Sequence, residues 1–217
     1  ATFAASTNNI SITKGTDGTL YATLADATDS YVVECSTTCG TATNWTETAP
    51  RPLDLANDYS LLAPLPGGDI MLINRDISLE DIRYKIWNNT NWSASWTIID
   101  QSATDNTTYD VGMALAVSTT TPGLLYLAYI ASSTTLGTDD VVRTAKYNGS
   151  TWSLTGNVLS GTARGLTNVA IGLDAANDDV YVAYAGRTTA GTSMTGNVYW
   201  KWATSSMMSW STEVGPI

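Results

Sequence analysis

Apolar residues along this chain fall in short alternating runs broken by Gly, Asn, Asp, Thr and Pro, and nowhere at helical spacing over a long window. The runs are rich in Thr, Tyr, Trp, Val and Ile, residues that suit a pleated, half-buried surface. An all-β chain is therefore expected. Laying the sequence on itself yields four passages that answer one another. A second strand is predicted at Thr19–Ala25, Asp69–Asn74, Leu124–Tyr129 and Asp179–Tyr184, so that Tyr21, Met71, Tyr126 and Tyr181 recur at intervals of about 50 to 55 residues. Before each lies a shorter apolar strand and a turn: Ile10–Ile12 with Thr16–Gly18, Leu61–Ala63 with Pro66–Gly68, Met113–Val117 with Pro122–Gly123, and Val169–Leu173 with Asn177–Asp179. A third strand follows at Tyr31–Cys35, Ile82–Trp87, Val141–Tyr147 and Val198–Trp202. A polar turn and a tryptophan close each unit, with Trp45, Trp92, Trp152 and Trp210 expected to open a fourth strand.

Four consecutive antiparallel strands in each of four units predict an all-β fold, a β-propeller of four four-stranded antiparallel blades, with half of an eight-bladed ring as the alternative. The blades are placed at about 8–50, 58–101, 110–160 and 167–217 of a single domain. Residues 1–7 are left over as an extra N-terminal strand or arm, and Ala1, Thr2, Phe3, Ala4 and Ala5 become candidates for pairing with a neighbouring subunit. The chain opens without an initiator Met or a basic leader, as a processed chain or an excised segment would.

The run Tyr147-Asn-Gly-Ser-Thr-Trp-Ser153, with shorter echoes around Trp45, Trp92 and Trp210, resembles the turn between third and fourth strands in bacterial extracellular propeller repeats, including the Asp-box repeats of sialidase-like proteins. Of the pattern Ser-x-Asp-x-Gly-x-Thr-Trp, Gly149, Thr151 and Trp152 match, while Ala145 and Tyr147 stand where Ser and Asp belong. The resemblance implies the propeller fold and carries no catalytic residue with it.

Charge and composition narrow the function. The formal net charge is −10 and the few Lys and Arg are scattered, which argues against a nucleic-acid or anionic-membrane partner. No apolar run reaches the roughly 18 residues a spanning helix needs, so no membrane insertion is expected. With no histidine in 217 residues, His-ligated zinc chemistry and His-based triads are excluded. Cys35 and Cys39, at the end of a strand and across a short turn, are read as a disulfide, which points to an extracellular or cell-surface location.

Candidate chemistry is sparse. Arg83 and Arg143 hold equivalent third-strand positions, where a cross-strand partner is the plain explanation and a sialidase-like arginine cluster the sharper one. Asp139, Asp140, Asp174, Asp178 and Asp179 fit ordinary turn chemistry better than a calcium loop. Trp87, Trp96, Trp200 and Trp202 serve either blade packing or sugar stacking. Glycosylation candidates stand at Asn9, Asn44, Asn88, Asn91, Asn106 and Asn148, four of them in third-to-fourth-strand turns. No cofactor, metal or catalytic residue is assigned. The leading expectation is thus a non-enzymatic extracellular structural or adhesive module that assembles with itself into a cell-surface structure or filament, with glycans as further partners. The alternative is a carbohydrate-active propeller, a lectin or a sialidase-like glycoside hydrolase.

Overall fold

The computed structural model describes residues 10–25, 30–49, 59–76, 79–101, 112–131, 141–159, 166–186 and 197–216. All the strands found there are paired antiparallel, in four sheets that follow one another along the chain. The first sheet is β1 (Ile12–Lys14), β2 (Leu20–Ala25), β3 (Ser30–Cys35) and β4 (Thr46–Glu47), in that order. The second is β5 (Tyr59–Pro64), β6 (Ile70–Asp76), β7 (Asp81–Trp87) and β8 (Thr97–Asp100). The third is β9 (Met113–Val117), β10 (Leu124–Ala131), β11 (Val141–Asn148) and β12 (Trp152–Leu159). In the fourth, β13 (Leu166–Leu173), β14 (Val180–Gly186) and β15 (Asn197–Ala203) are joined on the β15 edge by a bridge between Trp200 and Val214, which stands in the place of a fourth strand. The chain divides into two compact units, residues 1–98 and 99–217.

Strand register follows from the alternation of the sequence. Tyr21 lies opposite Thr13 and Glu34, Met71 opposite Ala63 and Ile86, Tyr126 opposite Ala116 and Lys146, and Tyr181 opposite Gly172 and Trp202. The repeat that Tyr21, Met71, Tyr126 and Tyr181 suggested is therefore a repeat of register: each stands on the same face of its sheet. In the first unit, Tyr21 and Val32 of the first sheet pack with Leu62, Ile70, Leu72, Trp87 and Trp92 of the second. In the second unit, Tyr126, Ala128, Ile130 and Val142 of the third sheet pack with Val169, Val180, Val182, Tyr184 and Tyr199 of the fourth. Burial of this kind contributes about 1.5–3 kcal/mol for each large apolar side chain.

In the second and third sheets the turns between third and fourth strands share one device. The Asn88 side-chain oxygen accepts from the backbone N–H groups of Thr90 and Asn91 at 3.2 and 2.8 Å, and that of Asn148 accepts from Ser150 and Thr151 at 3.0 and 2.9 Å. The next residue, Asn89 or Gly149, adopts a positive φ of 65° or 95°, which Asn and Gly tolerate best. Asparagine in these turns thus has a folding role whatever it carries.

The tryptophans behave less uniformly than expected. Trp152 does open β12 and Trp45 immediately precedes β4, but Trp92 makes only a bridge to Trp87, with β8 beginning at Thr97, and Trp210 lies outside any strand. Trp92 is held by side-chain demands instead: its ring lies 5.4 Å from that of Trp87, and its indole N–H donates to Thr48 Oγ1 at 3.2 Å, tying the end of the first sheet to the second.

Candidate functional site

A polar cavity of about 310 Å³ opens in the first unit, lined among others by Asp17, Tyr21, Glu34, Asn44, Thr46 and Asn89. Each wall has a local cause. Asp17 sits in the tight turn between β1 and β2, where its carboxylate accepts from the Thr19 backbone N–H at 3.0 Å and the Thr19 hydroxyl at 2.9 Å. Glu34 lies in β3, flanked in register by Tyr21 and Thr46, so all three stand on one face of the sheet. The Tyr21 hydroxyl donates to the Asn89 side-chain oxygen at 3.1 Å, bringing in the turn of the second sheet. Asn44 is fixed by donating to the backbone oxygens of Thr38 and Thr37 at 3.1 and 3.4 Å.

The electrostatics are those of a site where acids crowd. Burial, followed by the nearby Asp17 carboxylate, pushes the Glu34 carboxyl above the usual carboxylate range. Burial likewise pushes Tyr21 up to about 12, helped by Glu34 and Asp17. At neutral pH the cavity thus offers a tyrosine that donates, a glutamic acid more inclined than usual to keep its proton, and a second carboxylate. The disulfide between Cys35 and Cys39, with Cα atoms 5.7 Å apart, pins the segment that carries the rim. Trp45 donates its indole N–H to the Cys39 carbonyl at 2.9 Å on the same segment.

Neither Asp17 nor Glu34 stands out in the sequence. Glu34 was reachable from the β2–β3 hairpin, since pairing Tyr21 with its neighbour in the third strand puts a carboxylate beside it. Asn89 was not, because no local pattern predicts a contact across 68 residues.

The two repeated arginines meet carboxylates. Arg83 pairs with Asp76 at 2.7 Å, donates to Asn74 at 3.2 Å and lies 4.4 Å over the ring of Trp96. Arg143 pairs with Asp100 at 3.0 Å, and the same carboxylate oxygen accepts from the Tyr129 hydroxyl at 2.6 Å. Both arginines are therefore engaged as partners of buried acids within their own units. Beside the first pair, Asp81 is pushed up by burial, against the pull of Arg83 and with the Asp76 charge adding to the rise.

The remaining candidates divide by exposure. Asn44, Asn88, Asn91 and Asn148 are exposed, whereas Asn9 and Asn106 lie outside the described residues, as do Ala1 to Ala5 and the Asp139–Asp140 pair. Asp174 and Asp179 serve their turn, accepting from Ala176 N–H and the Asn177 amide, while Asp178 is buried and accepts from Ser118 and Thr120. Among the described residues no group of three or more acidic or cysteine side chains is placed to hold a metal ion. Trp87 is core and Trp96 packs beside it, whereas Trp202 is exposed and Trp200 half-buried. No helix among the described residues is long and apolar enough to cross a membrane.

No protein-family profile and no curated protein sequence matches this chain. Its fold does match solved structures. A protein of unknown function from Dyadobacter fermentans superposes with a TM-score of 0.63 at 12% identity, over 94% of this chain and 67% of its own. An α-L-arabinofuranosidase from Clostridium thermocellum gives 0.50 at 13% identity, over 91% and 69%. An exo-β-1,3-galactanase from Phanerochaete chrysosporium, solved with β-1,3-galactotriose, gives 0.51 at 10% identity, and this chain spans 49% of it. The expectation of a non-enzymatic chain is corrected by these neighbours, because the fold is one that glycoside hydrolases carry. What the likeness shows of this chain is its architecture: an all-β protein with the β-propeller fold.

Proposed function

We propose that this chain is a carbohydrate-active β-propeller that takes a glycan into the cavity between Asp17, Glu34 and Asn89 and hydrolyses a glycosidic bond there. The observation that carries the reading is the pairing of two carboxylates in one open polar cavity, with the proton on Glu34 favoured by burial and by the Asp17 charge. Glycoside cleavage asks for an acid that protonates the departing oxygen and for a second carboxylate on the sugar. Glu34 is the acid: it gives its proton to the glycosidic oxygen as the bond from that oxygen to the anomeric carbon breaks. Asp17 supplies the second carboxylate: it takes a proton from a water molecule as that water's oxygen bonds to the anomeric carbon, which completes the new hemiacetal, and proton exchange with solvent restores both groups. Tyr21, Asn44, Thr46 and Asn89 provide the donors and acceptors a sugar ring requires. An extracellular setting suits such a substrate and agrees with the Cys35–Cys39 disulfide.

The test is release of reducing ends from a panel of plant and microbial polysaccharides, by the wild-type chain and by Glu34→Gln and Asp17→Asn. At least ~100-fold lower turnover in Glu34→Gln, with glycan binding retained, is the expected result. Wild-type binding without turnover would reduce the site to a lectin's. Turnover unchanged in both variants would place the chemistry elsewhere.

A further inference from the structure

The turns that join first and second strands are closed alike in the four sheets: the backbone N–H of Gly15, Leu65, Ser118 or Asp174 donates to the carbonyl of Thr19, Asp69, Leu124 or Asp179. The residue just before that carbonyl has a positive φ in each. In three sheets it is a glycine, at Gly18, Gly68 and Gly123, with φ of 95°, 94° and 81°. The fourth sheet has Asp178 there, at φ 57°, a conformation that side chains disfavour. What its carboxylate touches must offset that strain.

Asp178 is 3% exposed. Its Oδ2 accepts from Ser118 Oγ at 2.6 Å and from Thr120 Oγ1 at 2.5 Å, both at the first turn of the third sheet. Its Oδ1 is buried and meets no hydrogen-bonding group of the protein. The hydroxyl of Tyr126, on β10 of the third sheet, is likewise buried and unpartnered. The two groups feel one another, since burial first and the Asp178 charge second push the Tyr126 hydroxyl up to about 12. Two buried oxygens left in that condition would destabilise the fold.

The first unit satisfies the same tyrosine differently. Tyr21, at the register position of Tyr126, donates to Asn89 Oδ1 at 3.1 Å. Asn89 stands three residues before Trp92 with φ 65°; Met207 stands three before Trp210 with φ 52°, fully buried, in the fourth sheet's corresponding turn. Its thioether is only a weak acceptor. The partner turn changes in step. A Cβ built on Gly68 would lie 3.1 Å from Asn89 Nδ2, so a side chain at that glycine's place enters the space beside the tyrosine's partner. Glycine with asparagine in the first unit thus becomes aspartate with methionine in the second, and the acceptor passes from one turn to the other. Glu34 is exchanged as well, because Lys146 faces Tyr126 in register and donates to the Ser205 carbonyl at 2.7 Å.

We infer that Tyr126 and Asp178 hold one buried water molecule between the third and fourth sheets, the tyrosine O–H donating to the water and the water donating to Asp178 Oδ1. A buried water needs at least about two polar partners, which these oxygens supply. Calcium would ask for about six oxygen ligands or more, and among the described residues no group of three or more acidic or cysteine side chains is placed to hold a metal ion. The second unit therefore keeps as a sealed one-water site what the first unit opens as a polar cavity around Tyr21.

A high-resolution crystal structure of the wild-type chain should show an ordered water within about 2.7–3.2 Å of both Tyr126 Oη and Asp178 Oδ1. Urea denaturation of Tyr126→Phe, with circular dichroism to verify folding, gives an independent sign. Removing a hydroxyl that bonds a water should raise the unfolded-to-folded ratio about 3–10-fold, whereas removing an unpartnered hydroxyl leaves that ratio unchanged or lowers it. In a double-mutant cycle with Asp178→Gly, which cancels whatever relief of φ the glycine brings, the double variant should fall short of the product of the single effects by at least ~2-fold. Absence of the water, a direct bond between the two oxygens, a metal ion in its place, a Tyr126→Phe variant as stable as the wild type, or an additive cycle would each overturn the inference. Should Tyr126→Phe fail to fold, the wild-type crystal structure decides alone.

Discussion

Thr48 is the most exacting place to test how the first two sheets are held together. It is 1% exposed, its hydroxyl donates to the Val32 carbonyl at 3.0 Å, and the same oxygen accepts the Trp92 indole N–H at 3.2 Å. Thr48→Val keeps the shape and removes the oxygen. The Val32 carbonyl retains the Thr48 backbone N–H at 2.9 Å, so its loss is small. The Trp92 N–H, on a side chain that is 7% exposed, is left without an acceptor, at a cost of about 1–3 kcal/mol. Thr48→Ser keeps both hydrogen bonds and loses one methyl, about 1 kcal/mol or less. Urea denaturation of both variants, read through tryptophan fluorescence with the slope required to stay constant, gives the comparison. A double-mutant cycle with Trp92→Phe isolates the bond itself: the double variant should fall short of the sum of the singles by about 1 kcal/mol. If Thr48→Val is as stable as the wild type, or if the cycle is additive, the hydrogen bond does not join the sheets and the role assigned to Trp92 is wrong.

Other consequences follow from single residues. Because the folded state raises the Glu34 pKa, its contribution is present below the ordinary glutamate range and is lost as pH rises through the elevated folded value; Glu34→Gln should therefore gain stability relative to the wild type as pH rises from the ordinary glutamate range through that folded value, measured by denaturation at each pH. Asp81 is raised in the same direction, and Asp81→Asn should show the same sign. Tyr129→Phe removes a hydrogen bond to the buried Asp100 carboxylate and should cost about 1.5–3 kcal/mol, read by chemical denaturation. Opening the Cys35–Cys39 link, which closes a sequence separation of only 4, should cost about 2 kcal/mol in Cys39→Ser and loosen the rim of the cavity in hydrogen exchange.

Hairpins were the readable part of this molecule. Period-two alternation bounded by Gly and Pro placed Met113–Val117 to the residue, and the recurring Tyr21, Met71, Tyr126 and Tyr181 marked a true register. At Ile10–Ile12 the strand shifts to Ile12–Lys14, since pairing begins where Lys14 meets Leu20 beyond the turn, and apolar character alone does not locate that point. Tryptophan misled as a strand marker because a large amphipathic ring answers to packing and to its N–H partner: Trp92 follows Trp87 and Thr48 rather than the ladder. The cavity was hidden for a related reason. Asp17, Glu34 and Asn89 come from a turn, a strand and the turn of another sheet, and only register plus sheet-on-sheet packing brings them together. The repeated arginines were visible, but their partners Asp76 and Asp100 were not, as each acid lies at a strand end whose position depends on pairing.

The most direct measurement is the position of a bound sugar in a crystal of Glu34→Gln soaked with an oligosaccharide that the wild type cleaves or binds. The account predicts electron density for a sugar ring in the cavity, within hydrogen-bonding distance of Asp17 and Asn89. Density confined to another face of the propeller, with this cavity filled by solvent, would contradict it.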